Sequence, residues 1–317
     1  MIKAYIIIAH KAPAQLHRLI SRLNDGKSEF FIHIDKKADL KQFDNLNDFG
    51  NSLHFLERFD SKWGSLGTIQ PFLSGLIAIK DSETEFDRIM LLSGQDYPIK
   101  SNDEIDEFFV SSPYSVFINY FPIPNYERWP GSDRGGLYRV DKYYFGLEWY
   151  ELFSSRFLNL VSAYVPFLRR EIPNGMKPFT GQTWWNLDTY ALNYILNYVA
   201  QHPEYLHFHK NTFVADEVFV QMIIGNSTDE RLLNSIENSE KRFTIWEKVS
   251  NPHPVILKVT DFMAIASSDD LFARKFDETV DSEILDLIDA KILVATTTGM
   301  GKSNHREKEN APGKPSF

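Results

Sequence analysis

The chain has 317 residues, of which 43% are hydrophobic and 24% charged, a mix that builds a full core and excludes a disordered or fibrous chain. Its 34 Lys and Arg stand against 43 Asp and Glu, a formal charge of −9, which argues against a broad nucleic-acid footprint. The absence of cysteine excludes disulfides, zinc–thiolate sites, iron–sulfur clusters and a cysteine nucleophile, and fits a reducing cytoplasm.

At a typical ~150 residues per domain, the length allows two lobes or one large α/β domain. No apolar run reaches the ~18 residues of a membrane span. The start, Met1 to His10, turns polar too early for a signal peptide, so none is expected. Residues 3–9 read as a buried strand, and Pro13 to Leu23 as a helix with Leu16, Leu19, Ile20 and Leu23 on one face. Phe30 to Ile34 is a second strand, ending in Asp35-Lys36-Lys37. Leu66 to Lys80 reads as a helix, Arg88 to Leu92 as a third strand, and Ser101 with Glu104 as a capping box. Ser115 to Asn119 is a fourth strand. This alternation predicts a largely parallel sheet with helices on both faces, with the ligand beyond the carboxyl ends of the strands. His10, Asp35 to Lys37 and Ser93 to Asp96 are those ends.

Residues 120–150, rich in Pro, Gly, Tyr and Arg, read as a substrate-facing loop region, with a packed surface loop as the alternative. Within it Tyr126, Glu127, Arg128, Trp129 and Arg134 mix rings with charges. Gly181 to Leu187 reads as a strand, Asp188 to Tyr198 as a helix capped by Asp188, and Asp216 to Ile224 as a short helix. Asp281 to Ile292 is an acidic amphipathic helix. The polar stretch 296–317 is expected to be disordered. Its Gly299-Met300-Gly301-Lys302-Ser303 imitates a phosphate-binding loop, but Thr296 stands where the motif needs its first glycine, and no strand leads in.

Four groups carry candidate chemistry. His10 with Asp35-Lys36-Lys37 suits a ribose or base edge and a phosphate, or is a solvated strand end. Ser93 to Lys100 presents Gln95 and Asp96 from a glycine turn, or is a helix-capping loop. Asp216-Glu217 opens an apolar helix, either as dipole partners or with one carboxylate as a general base; a base there needs burial to offset the helix dipole. Arg274-Lys275 sit in the apolar frame Leu271 to Asp277, where buried cations need an anion, either Asp277 or a neighbouring acid, or a diphosphate. No Asp-x-Asp occurs to hold a divalent cation, and no His-x-x-x-His marks a zinc hydrolase.

Taken in order, Ala9-His10-Lys11, Ile32 to Lys37, Lys62-Trp63-Gly64, Leu92 to Lys100, Gly181 to Trp185, Asp216-Glu217, Arg242 to Trp246 and Phe272 to Phe276 resemble the core-2 β-1,6-N-acetylglucosaminyltransferase and peptide O-xylosyltransferase family, in its bacterial branch. The resemblance covers residues 3–293. It implies a GT-A type α/β fold with a mostly parallel central sheet flanked by helices. One catalytic domain would span 1–295, with a nucleotide-binding half (1–119) and an acceptor and catalytic half (120–295). It also implies inverting transfer of a GlcNAc- or xylose-class sugar from a UDP-sugar to a hydroxyl of a glycan, glycolipid or glycopeptide, without a metal cofactor. The setting would be cytoplasmic surface-polysaccharide synthesis, with at most peripheral membrane contact and no nucleic-acid partner.

By position, Glu217 matches the catalytic base and Arg274 and Lys275 the diphosphate cations. Asp35 and Lys37 match donor nucleotide contacts; His10, Trp63 and Asp96 fall in donor-side motifs. Trp246 matches an aromatic at the acceptor, where Glu127, Arg128 and Thr183 are placed as well. Animal members of the family carry disulfides and a membrane anchor, whereas this sequence has no cysteine and no anchor is expected in it. Pro252-His253-Pro254 stands where core-2 members bring a second arginine, and Thr183 where the xylosyl branch has an acid. The alternatives are a non-catalytic sugar- or nucleotide-binding protein of the same fold, and a glycoside hydrolase. The hydrolase would need two acids roughly 5–10 Å apart, and Asp216 and Glu217, as helix neighbours, do not face one another.

Overall fold

The computed structural model describes residues 1–61, 66–247 and 253–293. Ten strands occur in this part: β1 (Lys3–Ala9), β2 (Glu29–Ile34), β3 (Leu53–Phe55), β4 (Arg88–Ser93), β5 (Asp96–Pro98), β6 (Val116–Pro122), β7 (Phe179–Leu187), β8 (Ile236–Glu237), β9 (Arg242–Phe243) and β10 (Phe272–Arg274). The main sheet runs β3-β2-β1-β4-β7-β6-β8, and a small second sheet runs β5-β10-β9. Strands β3, β2, β1 and β4 are parallel, whereas β7 is antiparallel to both β4 and β6. The expected α/β architecture, a mostly parallel central sheet flanked by helices, is what forms.

The central strands are mainly apolar and buried because helices cover both faces. One face packs the Gln70–Lys80, Thr189–Gln201 and Phe219–Gly225 helices around Ile6, Leu91 and Trp185. The other packs the Pro13–Leu23 and Glu283–Ile288 helices around Ile7, Met90 and Leu92. The four leucine and isoleucine positions of the Pro13–Leu23 helix are all buried, as their spacing requires. Helix and sheet touch closely at Gly75, where a β-carbon would lie 2.8 Å from Ile6. Lys3 is fully buried at the head of β1 because its ammonium is paired with Asp25 at 2.9 Å and with Asp106.

Several elements differ from expectation in extent. The Leu66–Lys80 region is a 3-10 turn (Leu66–Thr68) followed by a helix from Gln70, since Pro71 suits only a first turn. The Asp216–Ile224 region splits into a 3-10 turn, Ala215–Glu217, and a helix, Phe219–Gly225. The Asp281–Ile292 helix tightens to Glu283–Ile288 and then widens into a π-turn. The Ser101–Glu104 capping box and the Asp188 cap form as read. Residues 120–150 are more structured than a loop: β6 runs to Pro122, Gly131–Gly136 is a 3-10 turn and Tyr138–Asp141 a short helix. Trp63 and the 296–317 stretch lie outside the described residues.

Candidate active site

The parallel register puts Ala9 beside Ile34 and Ile8 beside Ser93, so three strand ends meet at one rim. A cleft of about 570 Å³ opens there, a size suited to a nucleotide sugar. His10, Ser93 and Gln95 line it from this rim, and Arg274 and Lys275 from β10 and its end. Asp216 and Glu217, Trp184 on β7, Arg128 and Arg139, and Trp246 close its other sides.

The cationic wall is built from behind. Asp96 is fully buried, and its carboxylate accepts from the Ser93 N–H at 2.7 Å and from Arg242 Nη1 at 2.5 Å. Arg274 reaches the same carboxylate only at 3.5 Å, and its Nε and Nη1 make no hydrogen bond among the described residues. Its guanidinium lies instead over the Trp184 ring, 4.2 Å from the centroid. Burial, opposed by Asp96 and reinforced by Arg242, brings the Arg274 pKa down to about 10, so the group stays charged at neutral pH. Lys275 is likewise lowered, first by burial and then by Arg274 and Lys11. Among the described residues no acid pairs with the Lys275 ammonium. The expected intramolecular partner, Asp277, is taken by Lys11 at 2.5 Å, and that contact holds its carboxyl down to about 2.

Across the cleft, Glu217 sits on the Ala215–Glu217 turn. The turn is entered through Val214 at φ 51°, a left-handed conformation costly for a β-branched residue. Thr180 on β7 fixes it by donating to the Glu217 carbonyl at 2.9 Å. β7 can come this close to β6 because Gly181 has no side chain; a β-carbon there would meet the Asn119 carbonyl oxygen at 1.8 Å. Burial pushes the Glu217 carboxyl above the ordinary glutamate value, Arg139 opposing and Asp216 adding. Burial is the largest influence on this carboxyl, ahead of the charges around it. Arg139 Nη1 donates to Glu217 Oε2 at 2.6 Å, while Oε1 accepts no hydrogen bond among the described residues.

Other expected site residues have different places. Asp96 is a correction: it is closed off from the cleft and orients the arginines rather than touching a donor. Asp35 is spent on the backbone, accepting from Lys37 N at 2.8 Å and Ser61 N at 3.0 Å. The Lys37 ammonium pairs with Asp60 at 2.7 Å. Neither Asp35 nor Lys37 lines the cleft formed by the described residues, whereas Ser61 and His10 do. His10 is held below the usual histidine value by partial desolvation and by Lys11 and Lys275. Thr183 lines the cleft and donates to Asp216 at 2.9 Å, and Thr68 donates to the other oxygen at 3.0 Å, so both hold that carboxylate in place. Glu127 is exposed outside the cleft, whereas Arg128 lines it, stacked over Phe121 and Trp129. Trp246 stands half-exposed at the edge of the cleft, its indole N–H on Thr244.

Arg139 and Arg242 are not singled out by sequence reasoning. Arg242 is signalled only by a charged residue within the run Arg242 to Trp246; Arg139 carries no local signal, because its partner Glu217 lies 78 residues away. Two tests follow. Asp96→Asn should cost about 3 kcal/mol in a denaturant titration, because it leaves Arg242 buried without a counter-charge. In Arg139→Gln the Glu217 pKa should rise further, since a lowering influence is removed. Any activity that needs the Glu217 carboxylate would then lose its acid limb at higher pH, whereas a merely structural defect would lower the profile evenly.

The chain belongs to the Core-2/I-branching enzyme family, whose model matches residues 3–266. It is 23% identical to the Beta-glucuronosyltransferase GlcAT14A of Arabidopsis thaliana over 304 residues, 92% of this chain and 64% of that protein. It is likewise 23% identical to Xylosyltransferase 2 of Rattus norvegicus, over 90% of this chain and 33% of that one. The chain thus spans under two thirds of the first of these relatives and a third of the second. Among solved structures, mouse Xyloside xylosyltransferase 1 in its apo form aligns over 85% of this chain and 96% of its own, with 12% identity and a TM-score of 0.36.

Proposed function

We propose that this chain is an inverting glycosyltransferase that moves a sugar from a UDP-sugar to an acceptor hydroxyl. The observation that carries the reading is the pair of under-compensated cations, Arg274 and Lys275, facing a desolvated carboxylate in one cleft. In the proposed step Glu217 Oε1 takes the acceptor proton as the acceptor oxygen bonds to the anomeric carbon. The bond from that carbon to the diphosphate oxygen breaks on the opposite face, and the departing charge meets the Arg274 N–H groups and Lys275. Arg139 holds the other carboxylate oxygen and so aims the base. Trp246 and Arg128 supply a ring and a cation for the acceptor.

Membership of the family supports a nucleotide-sugar donor and a glycan or glycoconjugate acceptor. The relatives' names add a glucuronosyl class to the N-acetylglucosaminyl and xylosyl classes expected from sequence. We place the reaction in the cytoplasm, in surface-polysaccharide synthesis, and without a metal cofactor, the two cations doing the work of a divalent ion. The test is calorimetric titration of UDP in EDTA, with GDP as control. Selective UDP binding is the expected result. Binding that appears only after adding Mn²⁺ would overturn metal independence, and silence with both nucleotides would overturn the donor assignment.

A further inference from the structure

Two carboxylates in the cleft take no part in the proposed step. Asp216 immediately precedes Glu217 on the Ala215–Glu217 turn and lines the cleft beside it. Thr68 and Thr183, from separate elements, each donate to a different oxygen of Asp216, at 3.0 and 2.9 Å. Glu240 lines the cleft just before β9. Lys241 beside it is left-handed at φ 53°, and its ammonium goes elsewhere, to Glu237 and over the Phe108 ring. Neither Asp216 nor Glu240 has an ion-pair partner among the described residues, and both act on the charge of Arg274.

The other charges on the cleft wall can be placed one by one. Among the described residues, Lys11 is paired with Asp277 and Arg139 with Glu217. Burial and neighbouring cations hold His10 and His253 below the ordinary histidine value, so both are largely neutral at pH 7. A diphosphate takes up Arg274 and Lys275. That leaves Arg128 against the two acids, and Arg128 rests on the Phe121 and Trp129 rings, on the side given above to the acceptor. A sugar bonded to the diphosphate must offer its anomeric carbon to a hydroxyl held by Glu217. Its ring therefore lies between Arg274 and Glu217, where Asp216 adjoins the one in sequence and acts on the other. A carboxylate has about four acceptor positions, and the threonines fill two of those on Asp216. The open ones suit sugar O–H groups, whereas a sugar carboxylate brings a like charge and no proton to donate. We propose that Asp216 and Glu240 bind the hydroxyls of a neutral donor sugar and shut out a uronic acid. This rests on the transferase reading and narrows it: of the glucuronosyl, xylosyl and N-acetylglucosaminyl classes, the last two fit. Thr68 and Thr183 are positioning residues that hold Asp216 at this wall.

Calorimetric titration with UDP-glucose and UDP-glucuronate, which differ only at C6, tests this, with UDP as the reference for both. Wild type should bind UDP-glucuronate about tenfold or more weakly than UDP-glucose. In Asp216→Asn/Glu240→Gln, which keeps the shape of both side chains, the ratio of the two affinities should fall towards one. Any change at the diphosphate end cancels in that ratio. Added salt should narrow the ratio in wild type as well, because the rejection is electrostatic, and this readout needs no variant. A wild type that binds UDP but takes both UDP-sugars equally well would overturn the neutral-sugar inference alone. A wild-type ratio that survives both the double variant and added salt would overturn it too, giving the discrimination to shape. Failure to bind UDP itself would instead remove the donor reading beneath it.

Discussion

Glu217→Gln will lower turnover about 10³-fold while leaving UDP affinity within about twofold of wild type, the size of effect expected when a general base is removed. The substitution keeps the shape of the side chain, and a glutamine oxygen can still accept from Arg139 Nη1, now 2.6 Å from Oε2. It removes only the carboxylate proposed to take the acceptor proton. Calorimetry for UDP and single-turnover rates with a UDP-sugar separate the two quantities. Unchanged turnover would remove Glu217 from the role of base. A wild type that binds UDP but transfers nothing to any acceptor would favour the binding-protein alternative. As the proposed base, Glu217 would also set the pH dependence. Its folded pKa is raised, so the active carboxylate form is lost on acidification at a higher pH than for an ordinary glutamate. Activity should fall as pH decreases through that raised value.

The sheet was legible because its strands are buried on both faces and therefore read as continuous apolar runs. The capping box and the Asp188 cap were legible because each is a local contact within four residues. What was not legible depends on distance in sequence. The partner of Lys11 is Asp277, and that pairing takes from Lys275 the acid nearest to it in sequence. Asp96 matched a donor-side motif by position, but only the packing of β5 against β10 shows that its carboxylate faces inward to the arginines. The Trp149–Tyr164 helix escaped for another reason. A stripe of aromatic residues at helical spacing ordinarily marks a buried face, and here the polar residues between them face the protein.

The two kinds of buried cation in this site should respond oppositely to removal. Arg274→Met/Lys275→Met should weaken UDP binding about 10³-fold, taking roughly 2 kcal/mol for each charged hydrogen-bonding group lost from the diphosphate. The same double variant should melt no lower than wild type without ligand, and even higher, because it takes from a desolvated wall two charges that nothing in the described structure fully pairs. At a UDP concentration of about 100 Kd the wild type should gain roughly 2.7 kcal/mol, and the variant almost none. Arg242→Met should do the reverse. It strips Asp96 of its hydrogen-bonded arginine, leaves a carboxylate fully buried and lowers the melting temperature before any ligand is added. Thermal melts of the two variants, each with and without UDP, therefore distinguish cations held for a ligand from a cation held for the fold. If the Arg274/Lys275 variant melts well below wild type and still gains stability from UDP, those residues are structural and the diphosphate lies elsewhere.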